Sequence, residues 1–257
     1  ILFLLIISIS EPIVIGLLCI ANMGTPDEFL ESGLGRYLGM VGTNIIYLWL
    51  IGWMHRIINK KIRELEPYEP ISGTYKIRLD ANECPENYPD FIKEEIKNAI
   101  DTIDFNRYPD PLAEKVVTAF ADYYGINPKY VTAGNGSDEL IFLIEAAFME
   151  KGDRMLCVAP DFSMYKFYSS ICEVECDTFI KSDDLSIDTD ALIEKVNRDN
   201  IKLLLFSNPC NPTGQGMNAE DARRLVTSVN ALVILDEAYM DFWDQSLINE
   251  VEKYSNL

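Results

Sequence analysis

The sequence has few of the residues with which proteins bind metal ions and nucleic acids. It contains one histidine, His55, and none of its six cysteines forms a CxxC pair, so a zinc site is not expected. Basic residues are also few, because 22 Lys and Arg stand against 41 Asp and Glu, which gives a net charge of −19. Since nucleic-acid phosphates require basic patches, this balance argues against a nucleic-acid partner. The sequence contains no internal repeat and no low-complexity tract.

The composition suits a large intracellular domain. A chain of 257 residues is long enough for one large domain or two small ones. Several of its cysteines fall within apolar, strand-like runs, as buried thiols do in a reducing compartment. We therefore expect a cytoplasmic protein.

Residues 1–53 differ from everything that follows. Residues 1–21 are almost wholly apolar, and residues 37–53 form an uncharged run near the lower length limit of a membrane span. Basic residues follow at Arg56, Lys60, Lys61 and Arg63. One interpretation is a transmembrane hairpin that tethers a cytoplasmic enzyme, since the positive-inside rule places the downstream part in the cytoplasm. The other is that Met54 opens the enzyme and that residues 1–53 come from a gene-model artefact.

Polar side chains follow two short apolar runs in the second half of the chain. The runs 201–206 and 231–235 predict buried strands, because they are short, rich in branched residues and bounded by turn signals. Asn211 follows the first run, and Asp236 and Tyr239 follow the second. Ligands of open α/β sheets bind at the carboxyl ends of strands, so we expect a carboxylate, a carboxamide and a phenol to converge there.

The motifs FSNPCNPTG and DEAY resemble those of the class I/II aminotransferases, which use pyridoxal 5′-phosphate (PLP). Cys210 departs from the pattern, because the family more often has an asparagine there, whereas Asn211 is kept. The resemblance implies that Asp236 pairs with the protonated pyridine nitrogen and that Asn211 and Tyr239 bind the phenolic oxygen. Taken singly, Asp236 could be a helix cap, Tyr239 a core residue and NPTG a turn.

The resemblance extends to other segments. In AGNGSDEL, a glycine-rich turn precedes a helix whose N-terminus can bind an anion, and the family places the PLP phosphate there. The residues implied in this cradle are Gly136, Ser137 and Asp138. Phe162 would stack on the pyridine ring, with a core phenylalanine as the alternative.

The segment before residue 110 resembles the N-terminal part of histidinol-phosphate aminotransferases. Its PY pair and LDANE segment imply that Tyr68 and Asn82 lie near the substrate. Tyr108, in the RYP motif, would reach the cofactor phosphate of a partner subunit, which implies a homodimer. The alternatives are a surface arm held by proline turns and a tyrosine packed in a proline-rich turn.

The expected fold class is α/β: the three-layer α/β/α large domain of the aspartate-aminotransferase-like PLP fold, truncated, with an apolar N-terminal extension. We divide the chain into the extension 1–53, an N-terminal arm 54–87 and a PLP-binding large domain 88–257. Within the last, helices are predicted over 89–103, 111–124 and up to Glu150, with a short strand at Val131 before the third helix. The alternation of strands and helices beyond it predicts a mostly parallel sheet.

The family's Schiff-base lysine belongs to an SK motif beyond DEAY, and no residue after Tyr239 supplies it. We therefore expect an N-terminal fragment, inactive by itself, of a histidinol-phosphate:2-oxoglutarate aminotransferase that acts in histidine biosynthesis. Its partners would be a phosphorylated amino-acid-type substrate and 2-oxoglutarate or glutamate. A threonine-phosphate decarboxylase-like PLP enzyme and a membrane-tethered non-catalytic module are the alternatives.

Overall fold

The computed structural model describes residues 48–49, 59–63, 65, 73–77 and 82–257. The chain divides into two compact units, Ile1–Leu65 and Glu66–Leu257. The described residues of the first unit include the short helix α1 (Lys60–Arg63). The predictions for Tyr68 and for the N-terminal apolar runs 1–21 and 37–53 lie outside the described residues, apart from Leu48 and Trp49. Within the described ranges, no helix combines the length and apolar character needed to cross a membrane.

The second unit is built on a parallel sheet. Its strands are β1 (Arg154–Ala159), β2 (Glu175–Ile180), β3 (Leu203–Ser207) and β4 (Leu232–Asp236). They run in the order β2-β1-β3-β4, and every pairing is parallel. This arrangement confirms the predicted α/β class with a parallel sheet.

Helices cover both faces of the sheet: α4 (Ser137–Phe148) and α5 (Met164–Cys172) lie on one face, and α6 (Thr189–Arg198) and α7 (Ala219–Ser228) lie on the other. Two helices precede them in the chain, α2 (Asp90–Ile100) and α3 (Glu114–Tyr124). Successive strand residues point to opposite faces, so Leu204 and Phe206 join one core with α6 and α7. Leu203 and Leu205 join the other core, which also contains residues of α4 and α5.

Local hydrogen bonds explain two differences from the sequence-based expectation. Val131 is extended but not part of a strand, because its N–H donates to the carbonyl of Pro128 (3.0 Å) within a 3₁₀ turn over Pro128–Tyr130. Helix α3 begins at Glu114 rather than at residue 111, because the carboxylate of Asp110 accepts the N–H groups of Leu112 and Glu114 in a turn before it.

Candidate active site

Five of the predicted cofactor residues line one small cavity at the carboxyl ends of β3 and β4. The cavity measures about 110 Å³. Its lining consists of Ser137, Phe162, Tyr165, Ser207, Asn211, Asp236, Ala238 and Tyr239. Side chains along a strand alternate between the two faces of the sheet, so Ser207 and Asp236 lie on the face that is covered by α4 and α5. The two residues are also register partners in β3 and β4, which places their side chains next to each other.

Asp236 ends β4 with its carboxylate fixed at both oxygens. Oδ1 accepts the N–H of Ala238 at 3.1 Å, and Oδ2 accepts the phenol of Tyr165 at 2.7 Å. The main-chain carbonyl of Asp236 accepts the N–H of Asn208 at 2.8 Å, which ties the two strand ends together. A negative group is therefore held in a defined orientation at the edge of the sheet.

The loop after β3 is closed by hydrogen bonds to its own main chain. The side chain of the buried Asn208 accepts the N–H of Met217 at 2.6 Å and donates to its carbonyl at 3.2 Å. Within the loop, Gly214 N–H donates to the carbonyl of Cys210 at 2.7 Å, and Cys210 N–H donates to Gln215 at 2.8 Å. Asn208 is therefore a residue of loop structure, and the closed loop presents Asn211 to the cavity.

The phenol of Tyr239 is surrounded by amide donors. Asn82 Nδ2 donates to its oxygen at 2.9 Å, and Asn211 Nδ2 lies at 3.5 Å. Since both amides give hydrogen bonds to the oxygen, the O–H of Tyr239 remains to donate to a ligand acceptor. The contact also places Asn82, predicted near the substrate, against a residue of the cavity.

Helix α4 presents its N-terminus at the cavity. Gly136 precedes the helix with φ of 85°, a backbone conformation that glycine adopts without strain, and Ser137 lines the cavity. The first N–H groups of a helix have no partner within it and suit an anion. The carboxylate of Asp138 contributes to raising the pKa of Tyr168, after the larger effect of burial. Because Asp138 stands in the first turn of α4 and a carboxylate repels an anion, it can serve an anion through its N–H rather than through its side chain.

Two aromatic rings belong to the lining of the cavity, and an acidic residue next to one of them is hydrogen-bonded to Ser207. The ring of Phe162 is 39% exposed and meets that of Tyr165 edge to face, with centroids 5.5 Å apart. Asp161, next to Phe162, accepts the hydroxyl and the N–H of Ser207. Burial raises the pKa of Asp161, and these hydrogen bonds oppose the shift.

Tyr108 is not part of this cavity. Its side chain is fully exposed, so the predicted reach toward a partner subunit stays a prediction. Conversely, the sequence argument missed Tyr165 and Ser207. Ser207 stands beside the NPCNPTG motif and could have been found as the last residue of β3, whereas Tyr165 lies one helical turn beyond Phe162 in an ordinary amphipathic pattern.

Known proteins resemble this chain over more than two thirds of its length. The aminotransferase class I and II family model matches residues 74–257. The chain belongs to this family. Its members use PLP, and five of the residues predicted to contact the cofactor line the cavity.

The similarity extends to individual relatives. The histidinol-phosphate aminotransferase of Clostridium novyi is 37% identical over 204 residues, which are 79% of this chain and 57% of that enzyme. The chain thus spans little more than half the length of this curated relative. The structure of histidinol-phosphate aminotransferase from Sinorhizobium meliloti, in complex with pyridoxal-5′-phosphate, superposes with a TM-score of 0.64 at 24% identity, covering 72% of this chain and 52% of that one.

A second solved structure is that of an enzyme with a different reaction in its name. L-threonine-O-3-phosphate decarboxylase from Porphyromonas gingivalis gives a TM-score of 0.55 at 22% identity, covering 65% of this chain and 49% of that one. At such identities the two structural likenesses establish the fold and do not distinguish the reactions.

Proposed function

We propose that the complete protein is a PLP-dependent aminotransferase that transfers an amino group between a phosphorylated amino alcohol of the histidinol-phosphate type and 2-oxoglutarate. The observation that carries the proposal is the single cavity lined by Ser137, Phe162, Asn211, Asp236 and Tyr239. These residues supply an anion-binding helix end, an aromatic face, two polar donors and a carboxylate.

Each group suits one part of the cofactor. The N-terminus of α4, with Gly136, Ser137 and Asp138, would hold the phosphate through main-chain N–H groups. Asp236 would keep the pyridine nitrogen protonated by charge pairing, while Asn211 and Tyr239 would bind the phenolic oxygen. PLP bound there supplies an electron sink for carbanion chemistry. The same residues are the proposed catalytic and cofactor-binding set, together with the aromatic face of Phe162.

The proposed substrate rests on the curated relatives. Those at 34–38% identity are named histidinol-phosphate aminotransferase. Asn82, hydrogen-bonded to Tyr239, is the described candidate for substrate binding, and Tyr68 is the second. The proposed location is the cytoplasm, because a buried cysteine within an apolar strand, such as Cys157 in β1, suits a reducing compartment.

The proposed assembly is a homodimer. No residue of α2 is buried, and a run of large apolar side chains before α3 is exposed. These side chains are Ile103, Phe105, Tyr108 and Leu112. An apolar surface of this kind marks a contact surface, and a second copy is the occupant that would also bring Tyr108 to a neighbouring cofactor phosphate.

The test uses the complete gene product. The purified protein should absorb as a PLP enzyme and convert histidinol phosphate only when 2-oxoglutarate is present. Asp236→Asn should lower kcat by about 10²–10³-fold, because the variant loses a preorganised charge at the ring nitrogen. Release of carbon dioxide from threonine phosphate without a keto acid would favour the decarboxylase instead. A protein that fractionates with membranes and shows no PLP absorbance would contradict both the aminotransferase and the decarboxylase.

A further inference from the structure

We propose that Tyr165 is a positioning residue that sets the orientation of the Asp236 carboxylate toward the ligand. The proposal rests on the proposed function, because it concerns the group that would face the pyridine nitrogen. Tyr165 belongs to α5 and Asp236 ends β4, so the contact joins a helix and a strand 71 residues apart in the sequence.

The geometry favours positioning over simple packing. The hydroxyl of Tyr165 donates to Oδ2 of Asp236 at 2.7 Å, while the other oxygen is held by the N–H of Ala238 at 3.1 Å. Two donors on opposite oxygens prevent rotation of the carboxylate about its Cβ–Cγ bond. The remaining lone pairs then point in fixed directions, which is the arrangement that a ring N–H needs.

Tyr165 is itself unable to move away or to ionise. Its side chain is 1% exposed and lies in the core formed with Ile141 and Met155. Its ring also packs edge to face against Phe162. Burial first, and then the charges of Asp236 and Asp161, raise the pKa of Tyr165 far above its usual range. The phenol therefore stays protonated, and it remains a hydrogen-bond donor at every physiological pH.

The contact also connects the aromatic wall with the acidic one. Phe162 and Tyr165 are three residues apart in the sequence, and both line the cavity. The short segment between β1 and α5 therefore places the ring available to a flat ligand next to the phenol that holds Asp236.

The test measures binding of ¹⁵N-labelled pyridoxamine 5′-phosphate to the complete gene product. This probe carries an amine and requires no covalent attachment to the protein. Tyr165→Phe should weaken binding about tenfold or more, since hydrogen bonds to charged groups are among the stronger ones. The ¹⁵N signal should also show that the pyridine nitrogen loses its proton at a lower pH in this variant than in the wild type. The urea midpoint should stay close to the wild-type value, because the ring packing is retained.

Two further variants separate the possible causes. Tyr254→Phe removes another tyrosine–carboxylate contact, to Glu250 at 3.2 Å, and should leave binding and the ¹⁵N titration unchanged. In the Asp236→Asn background, Tyr165→Phe should have less than about a twofold additional effect, because the two residues act as one unit.

The outcomes are distinct. Unchanged affinity and ¹⁵N titration in Tyr165→Phe would overturn the positioning role while leaving the proposed function standing. An equal loss in the Asp236→Asn background would also overturn it, because Tyr165 would then act on the ligand directly. A wild-type protein without affinity for the probe would overturn the proposed function and this inference together.

Discussion

At the residue scale, the most unusual side chain outside the cavity is that of Glu145. It lies on α4, is completely buried, and neither carboxylate oxygen has a hydrogen-bond partner within the described residues. Burial, and to a smaller extent the charge of Cys176, raises the pKa of Glu145 to about 8. The folded protein therefore keeps this acid neutral under conditions in which the unfolded chain ionises it.

This shift predicts a pH-dependent stability. The pKa of Glu145 is 4.5 in the unfolded chain and about 8 in the folded protein, so between these two pH values the folded state binds one more proton than the unfolded state. The free energy of unfolding should then fall by about 1.4 kcal/mol per pH unit as pH rises through this window, and this contribution levels off above it. Glu145→Gln should remove this contribution, as measured by urea unfolding at a series of pH values.

A matched control uses the exposed Glu252. Glu252→Gln should retain the wild-type slope of stability against pH. If Glu145→Gln keeps the same slope as the wild type, Glu145 is not the group that titrates.

Residues of the cavity differed in how far the sequence could predict them. The sequence could predict three of them, because they follow apolar runs that form strands, and the topology of a parallel sheet brings the strand ends together. These residues are Asn211, Asp236 and Tyr239. Tyr165 could not be predicted, because the sequence pattern around a tyrosine in a helix is the same whether its hydroxyl donates to a main-chain carbonyl or to a distant carboxylate. Such a contact depends on how α5 packs on the sheet, which periodicity alone does not determine.

At the scale of elements, local caps determined which helix boundaries were predictable. An aspartate directly before a helical pattern is a recognisable N-cap signal, and Oδ1 of Asp188 accepts the N–H of Ala191 at 3.0 Å at the start of α6. The start of α3 was placed too early, because Asp110 builds a turn and Ala113 takes a left-handed conformation with φ of 48°. A cap with a simple hydrogen-bond pattern is visible in a sequence, whereas a turn that delays a helix depends on backbone geometry.

The cap of α6 gives a stability prediction. Asp188→Ala should lower the free energy of unfolding by about 1 kcal/mol, because it leaves the N–H of Ala191 without its side-chain acceptor. Urea unfolding at constant pH measures the change. Asp183→Ala, which removes the same charge from an exposed position in the preceding loop, should change stability by less than about 0.5 kcal/mol. Equal effects of the two substitutions would argue against capping.

At the scale of the whole molecule, the exposed apolar run before α3 should govern association. Phe105 is among its most exposed members, and a charge there would be buried without a partner in the proposed dimer. Phe105→Asp should raise the dissociation constant of the dimer at least about tenfold, as measured by analytical ultracentrifugation of the complete gene product.

The control is Ile180→Asp, at a similarly exposed apolar residue at the end of β2. This variant should associate like the wild type. A wild-type protein that sediments as a monomer, or a dimer that is insensitive to Phe105→Asp, would contradict the assignment of this surface.

The pairing of Ser207 with Asp236 has a consequence for how this protein tolerates insertions and deletions. Alternate residues of a strand face opposite helical layers, so a slip of one position between β3 and β4 would turn Asp236 away from Tyr165 and Ser137. An in-frame codon gained or lost inside β4 would thus abolish the carboxylate's function although every residue named in the cavity is still encoded. The site therefore requires the correct length of β4 as well as the correct side chains.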